Sequence, residues 1–409
     1  MSFPDLDINL SSEQKAMRDS AREFGMKVMR PAGIELDKLT DPADVIAENS
    51  VLWDVMKQYR ELGFHLRSMP KQVGGMLEEV DPLSGLLLTE EFGYADGGLT
   101  ISLAVAGHTF RYASMSDDPE LQEWAHAYCE DTEAELIGCW AITEPDHGSD
   151  WIMAADPGFS DPSSAPSLRA VLKGDEYVLT GQKSAWVSDG TIATHATVHV
   201  NLEPSQGMHG TGIAVVPLDL PGISKGKPLF KMGQRPLNQG EIFFEEVKIP
   251  QKYMVMSDYT VSQPVMQGIM TGANTGMSII FAGLAKAAFD EALKYAKERI
   301  QGGIPIFEHQ NIKLKLMNMM TLVESARSLA RRTAAFNVAS PPGSLPHAVC
   351  AKGLSTEAAF KVASEAIQIF GGNGLSKEYC IEKIFRDARA SMIEDGTNEA
   401  LALAGAAFI

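Results

Sequence analysis

Apolar residues alternate between about residues 138 and 250, and recur every three to four positions on either side of that block. One element cannot satisfy both periods: alternation suits a strand with one buried face, and a 3.6-residue period suits a helix. In "LRAVLKGDEYVLTGQKSAWV" two short runs flank Gly174-Asp175, the turn chemistry of a hairpin. "ATHATVHVNL", "GIAVVPLDL" and "EIFFEEVKIP" read as further strands. Pro217, Pro221, Pro228, Pro236 and Pro250 punctuate them at positions that would break a helix. The middle of the chain is therefore a β domain.

The flanks are helical. "LSSEQKAMRDSAREF" offers Ser11 and Gln14 as a capping box, and Ala16, Met17, Ala21 and Phe24 share one face. "SVLWDVMKQYRELGF" repeats the pattern and stops at Gly63. "GLLLTEEFGYA" and "LTISLAVAGHTF" are further apolar runs. Beyond residue 255, Leu284, Ala288, Phe289, Ala292, Leu293 and Ala296 form a stripe, with Asp290 and Lys294 expected to pair on the polar side. Ile312, Leu316, Met319, Val323 and Ala326 form a second stripe, and "AKGLSTEAAFKVASEAIQIF" is another helix. Four long helices with short connections predict an antiparallel bundle. The expected fold is α+β and multidomain: an N-terminal all-α domain over 1–137, a middle β-barrel-like domain over 138–250 and a C-terminal four-helix bundle over 251–409.

A chain of 409 residues exceeds one small core, which agrees with this division. The net charge of -18 argues against a nucleic-acid binder, and leaves an anionic ligand only a local basic or helix-terminal site. Cys129, Cys139, Cys350 and Cys380 are scattered, without CxxC or metal spacing, as expected of free thiols in a reducing compartment; no metal site is expected. From the acidic start "MSFPDLDINLSSEQ" no signal peptide or transit peptide is expected, nor is a membrane span. The expected location is the bacterial cytoplasm in preference to the mitochondrial matrix.

Three loops carry candidate chemistry, and a fourth segment carries an acidic pair. "CWAITEPDHGSD" brings Thr143, Gly148 and Ser149 into one turn, where hydroxyls and bare N–H groups can hold ring carbonyls or phosphates. "SAWVSDG" places Trp186 and Ser188 on one side of a strand, able to face a flat cofactor or simply to pack. "FGGNGL" follows a helix rather than a strand, so a dinucleotide-binding turn is not expected; Gly371 and Gly372 either simply end that helix or let a cofactor approach bare backbone. "RDARASMIEDGTNEAL" sets Glu394 and Asp395 directly before Gly-Thr, among apolar neighbours. No GxSxG, HExxH or GxxxxGK[ST] motif is present.

Taken together, these segments resemble the acyl-CoA dehydrogenase family over essentially the whole chain. "AITEPDHGSD" is similar to its T-E-P-x-x-G-S-D loop, and "SAWVSDG" to its W-I-[TS] strand. "YAKERIQGGIPIFEHQ" resembles its Arg-x-x-x-Gly…Gln segment. "QIFGGNGLSKEYCIEKIFRDAR" resembles its Q-x-x-G-G-x-G…R-D-A-[KR] run, and "IEDGTNE" stands where the family has Y-E-G-T-x-[QE]. The resemblance implies FAD as cofactor. Trp140, Ile142 and Thr143 would lie along the isoalloxazine, Trp186 and Ser188 would cover its other side, and Gly148 and Ser149 would face the pyrophosphate or the ligand beside it. Arg299 and Gln310, with Gln368, Gly371 and Gly372 of a neighbouring subunit, would hold the diphosphate and adenosine. Thr397 and Glu399 would meet the pyrophosphate and adenine end. A shared cofactor implies a homo-oligomer, a tetramer in preference to a dimer. The substrate would be an acyl-CoA, contacted by Ser149, Thr100 and Asn274, and the electrons would pass to an electron-transfer flavoprotein.

In the resemblance, the residue before Gly-Thr is the base that removes the α proton of the thioester. Here the family's Glu is Asp395, and the aromatic before it is Glu394. The alternative base position on a bundle helix is Ala273, beside Asn274 where many members have Arg. Asp is one methylene shorter than Glu, and a misplacement of ~1 Å can cost ~100-fold. A branched or cyclic acyl group would suit the shorter base. Either Asp395 or Glu394 is expected to be catalytic. Two other readings stay open. One is a flavin oxidase of the nitroalkane oxidase type, whose partnering Arg is Ala402 here. The other is an FAD-binding member that does not dehydrogenate.

Overall fold

The computed structural model describes residues 9–409; the first eight residues of the acidic start lie outside the described residues. In the N-terminal domain, α1 (Ser12–Phe24) runs through a π turn, Gly25–Met29, into α2 (Arg30–Lys38). Helices α3 (Val51–Glu61), α4 (Pro82–Ala95), α5 (Gly97–Val105), α6 (His108–Ala113) and α7 (Pro119–Glu130) follow. The capping box forms as expected, with the Gln14 N–H donating to Ser11 Oγ at 3.1 Å and the Ser11 N–H to Gln14 Oε1 at 3.0 Å. Gly63 stops α3 at φ 71°, a left-handed conformation that favours glycine. The apolar run "LTISLAVAGHTF" breaks at Ala106–Gly107 into α5 and α6.

The middle domain is an eight-stranded sheet: β1 (Gly138–Ala141), β2 (Arg169–Lys173), β3 (Glu176–Ser188), β4 (His195–Asn201), β5 (Thr211–Pro217), β6 (Ile223–Lys225), β7 (Gln239–Pro250) and β8 (Met254–Met256). Its order is β6-β7-β3-β2-β4-β5-β8, with β1 parallel to β4 off that path. β2 and β3 form the expected hairpin, with Lys173 paired to Glu176 across Gly174 at φ 70°. The three-residue strands β6 and β8 are too short to show a period in the sequence.

The C-terminal domain holds α8 (Tyr259–Glu298), a small hairpin of β9 (Ile300–Gln301) and β10 (Ile304–Pro305), α9 (Gln310–Ala339), α10 (Leu345–Phe370), α11 (Ile381–Ser391) and α12 (Asn398–Ala406). Three of these helices are long, at 40, 30 and 26 residues; the fourth bundle member, α11, has 11. By length and composition α8 could cross a membrane, but 67% of its apolar window is buried inside the protein, the burial of a core helix. Its predicted stripe from Leu284 to Ala296 is buried. The expected Asp290–Lys294 pair does not form. Asp290 instead faces inward, accepting from Lys286 Nζ at 2.7 Å and from the Tyr94 hydroxyl at 3.2 Å. A carboxylate beside a core tyrosine gains more from a buried cation than from a solvated one.

Two glycines fix how the first domain meets the bundle. A Cβ on Gly93 of α4 would stand 2.2 Å from the Ile280 carbonyl oxygen, and one on Gly283 of α8 would stand 2.2 Å from that of Glu90. Both obstacles are backbone, which cannot rotate aside. Gly93→Ala is therefore expected to destabilise by about 1–3 kcal/mol through overpacking. Thermal denaturation checks this; a variant that melts with the wild type would mean the helices can part freely.

Candidate functional site

The strand-to-loop passage after β1 forms one wall. Thr143 Oγ1 lies 2.8 Å from Ser184 Oγ on β3, and the Ser184 N–H donates to the Thr143 carbonyl at 2.9 Å. Beneath them a fully buried ion pair, Lys183 Nζ to Glu144 Oε1 at 2.7 Å, secures the loop; the same ammonium donates to the Ile142 carbonyl at 3.1 Å. Trp140 is fixed from behind: its indole N–H donates to His199 Nε2 at 2.9 Å, and its ring centroid lies 5.0 Å from that of His108. Burial pushes His199 well below the usual imidazole range, so it stays neutral and can accept this bond. Trp186 is 61% exposed, which rules out core packing as its role in this chain. Ser188 Oγ, two residues on, accepts from Gln239 Nε2 at 3.2 Å.

The second wall is the turn between α11 and α12. Asp395 at φ 52° and Gly396 at φ 97° are both left-handed, a tight reversal that Asp and Gly tolerate. A Cβ on Gly396 would collide with Ile152 Cδ1 at 1.8 Å. Thr397 caps α12 by accepting the Ala400 N–H at 3.2 Å, while its own N–H donates to Ser149 Oγ at 3.2 Å. That bond staples the Gly148–Ser149 loop to the acidic turn, 248 residues away in sequence. A Cβ on Gly148 would meet nothing within 4 Å, so the backbone there faces open space. His147 is held by Asp150 at 2.6 Å.

The two carboxylates differ. Glu394 accepts a hydrogen bond from Gln234 Nε2. Burial, then the charge of Asp395, pushes Glu394 up to about 7 against the pull of Gln234, Lys231 and Lys352. Asp395 accepts no side-chain hydrogen bond among the described residues. Burial raises its pKa, and Lys352 opposes the rise. A half-buried carboxylate with raised proton affinity and no side-chain hydrogen bond among the described residues can take a proton from carbon.

A cavity of about 800 Å³ opens at the other end of the bundle, lined by Tyr295, Arg299, Gly302, His309, Gln368, Gly371, Gly372 and Asn373 among others. Gly371, at φ 62°, and Gly372 present bare backbone with nothing within 4 Å of an added Cβ. Arg299 lies in the same cavity of the same chain as Gln368 and the glycine pair. The helices that end at this cavity, α8 and α10, pack side by side, so their C-terminal and post-helical residues meet. Gln310, the first residue of α9, is exposed beside this cavity and does not line it, although Asn311 and Ile312 do. Glu399 is exposed in the first turn of α12.

Two expected substrate contacts are otherwise engaged. Thr100 is buried and its hydroxyl donates to the Asp96 carbonyl at 2.6 Å, back onto its own helix. Asn274 is fully buried; its amide donates to the Met270 carbonyl at 2.9 Å, and its Oδ1 has no partner among the described residues. Sequence reasoning missed Gln234, Lys231 and Lys352. Lys352 did leave a signal: it falls on the apolar stripe of α10 with Ala348, Ala359 and Ala363, all buried. A lysine there needs a partner.

Hydroxyls, an exposed indole and a bare glycine backbone at one surface, with an arginine and two bare glycines at another, fit the ring and the diphosphate of a flavin dinucleotide. A helical–β–helical chain with such surfaces falls in the class of flavoprotein oxidoreductases. The sequence matches the acyl-CoA dehydrogenase N-terminal domain over residues 11–115, the middle domain over 139–247 and the C-terminal domain over 264–409. It is 30% identical to the mitochondrial short-chain specific acyl-CoA dehydrogenase of Rattus norvegicus, over 96% of this chain and 89% of that one. It is 28% identical to the cyclohex-1-ene-1-carbonyl-CoA dehydrogenase of Geobacter metallireducens, over 96% of each. The butyryl-CoA dehydrogenase structure from Megasphaera elsdenii superposes with a TM-score of 0.84 at 27% identity, covering 98% of this chain and 99% of that one. The chain belongs to the acyl-CoA dehydrogenase family. Its class is that of oxidoreductases acting on CH–CH bonds, with FAD as cofactor.

Proposed function

We propose that this protein performs α,β-dehydrogenation of an acyl-CoA thioester with Asp395 as the base. The observation that carries the reading is the unpaired, half-buried Asp395 carboxylate in a turn stapled by Thr397 to Ser149. FAD, when bound, supplies the acceptor for the β hydride. Asp395 takes the α proton; Thr143, Ser149, Ser188 and Trp186 orient the ring and the thioester beside it and exclude water. Removing proton and hydride from adjacent carbons leaves the α,β double bond, so charge and electrons balance. The short reach of Asp395 favours a branched or cyclic acyl group, a chemistry that the name of the Geobacter relative also carries. The electrons then pass to an electron-transfer flavoprotein.

The two cofactor surfaces point to a shared site. Lys352, under the acidic turn, and Gln368, at the Arg299 cavity, lie 16 residues apart on α10, or about 24 Å at about 1.5 Å per residue. One chain thus offers the ring side and the diphosphate side as separate surfaces, and two copies together complete the site in a homo-oligomer. Arg299→Ala is expected to weaken FAD retention by about 1.5–3 kcal/mol, the worth of a charge-assisted bond, and to loosen the oligomer with it. Flavin content per chain and light scattering at falling concentration measure both. Full occupancy in a monomer would remove the shared site.

Anaerobic mixing with a panel of straight, branched and cyclic acyl-CoAs tests the function. Bleaching of the oxidised flavin, followed by reoxidation with an electron-transfer flavoprotein, is the expected result. Bleaching by nitroalkanes alone would replace the reading with an oxidase, and none at all would replace it with a binding protein.

A further inference from the structure

We propose that Lys352 is the positioning residue for the base: from α10 its ammonium pins the Asp395–Gly396 turn and supplies the positive charge against which Asp395 gains and loses its proton. The proposal rests on the reading of Asp395 as base. Lys352 is fully buried. Its Nζ donates to the Gly396 carbonyl at 2.9 Å and to Asn398 Oδ1 at 2.9 Å. The Asn398 amide donates to Thr356 Oγ1 at 3.1 Å, and Thr356 Oγ1 donates to the Lys352 carbonyl at 2.9 Å. The ring of bonds closes on the helix it starts from, so the turn cannot shift without breaking it.

Burying an ammonium on an apolar helix face costs several kcal/mol unless its donors are met. A plain salt bridge would satisfy it most cheaply, yet neither nearby carboxylate is its hydrogen-bond partner. The bonds go to a backbone carbonyl and a neutral amide, which leaves the Asp395 carboxylate without a side-chain hydrogen bond among the described residues and still within the field of the cation. Two successive left-handed residues make this possible, since they turn the Gly396 carbonyl onto α10.

The charges around the device are few. Asp395, Glu394 and Glu399 act on Lys352. Glu394 also feels Lys231, which in turn faces Asp387 and Asp189. Lys352 is the one cation whose charge acts on Asp395 among the described residues. Burial lowers the Lys352 ammonium to about 8, so it is charged at neutral pH. A cation beside a carboxylate favours the ionised form, so its loss raises the proton affinity of Asp395 and moves the acid limb of the rate profile to higher pH.

The test follows flavin reduction against pH by anaerobic stopped flow, in a Glu394→Gln background that leaves one carboxylate of the pair titrating. Lys352→Met is expected to shift the acid limb upward by about one unit or more. Lys352→Arg should return the limb towards its original place. Asn398→Ala keeps the charge and should lower the rate without moving the limb. Asn398→Asp, which sets a carboxylate on the ammonium, should move the limb upward and serves if Lys352→Met does not fold. A limb that stays put in both Lys352→Met and Asn398→Asp, or in Asn398→Asp alone should the other fail to fold, overturns the proposal. Failure of the base reading is separate: there Asp395→Asn itself reduces its flavin at full rate.

Discussion

Asp395→Asn is expected to retain FAD and to bind acyl-CoA, while its flavin is reduced about 10²–10⁴-fold more slowly, the usual contribution of a general base. The two side chains are nearly isosteric, and among the described residues Asp395 makes no side-chain hydrogen bond whose loss would disturb the turn. The amide simply cannot accept the α proton. Glu394→Gln should cost less, about an order of magnitude, because Glu394 is already engaged by Gln234. Asp395→Glu restores one methylene of reach and is expected to shift preference towards straight-chain thioesters. Stopped-flow reduction with a branched and a straight acyl-CoA gives all three numbers. An unimpaired Asp395→Asn beside a dead Glu394→Gln would exchange the roles of the two carboxylates.

Glu90→Gln is expected to cost about 3–5 kcal/mol, the effect of breaking a buried ion pair from one side. Glu90 on α4 is buried and receives Arg327 Nε at 2.6 Å and Arg331 Nε at 2.7 Å, both from α9. Burial works to raise its pKa, and the two guanidiniums outweigh burial and hold it below the ordinary value. The ionised form is thus the one that folding favours, and its contribution is present above the ordinary glutamate range and lost as pH falls through the depressed folded value. A glutamine keeps the shape but removes the negative charge that Arg327 and Arg331 share between the first domain and the bundle, while Arg327 keeps Glu324 at 3.1 Å. Thermal melting at neutral pH should show a fall of several degrees, narrowing towards acid pH as wild-type Glu90 itself protonates. The exposed pair Glu23–Lys27 is the control, and Glu23→Gln should melt with the wild type. A Glu90→Gln melt equal to the wild type at neutral pH would show that the triad adds nothing to the domain contact.

Periodicity was enough to place the β domain between two helical ones, because alternating and 3.6-residue spacing are local properties that burial imposes on each element alone. Ser11–Gln14, Gly63 and Gly174-Asp175 were legible for the same reason: capping and turn chemistry act within a few residues. The pairing of Asp290 was not legible. On spacing alone Lys286 and Lys294 are equivalent, and only the inward face set by Tyr94 of another helix chooses between them. The candidate site divides in the same way. "EDGT" and "HGSD" announce their residue types in sequence, but the Ser149–Thr397 bond that joins them spans 248 residues. Arg299 and Gly371 lie 72 residues apart in sequence, and the packing of α8 on α10 puts them in one cavity. Lys352 is a charge on an apolar stripe, a signal the sequence reading passed over; that its ammonium would reach the Gly396 carbonyl followed from where the turn came to rest. The sequence by itself determined the succession of helical, β and helical domains, the caps at Ser11 and Gly63 and the chemistry each loop could bring. The tertiary structure alone decided which carboxylate stayed unpaired, because desolvation and charge pairing depend on distances between segments that no local pattern encodes.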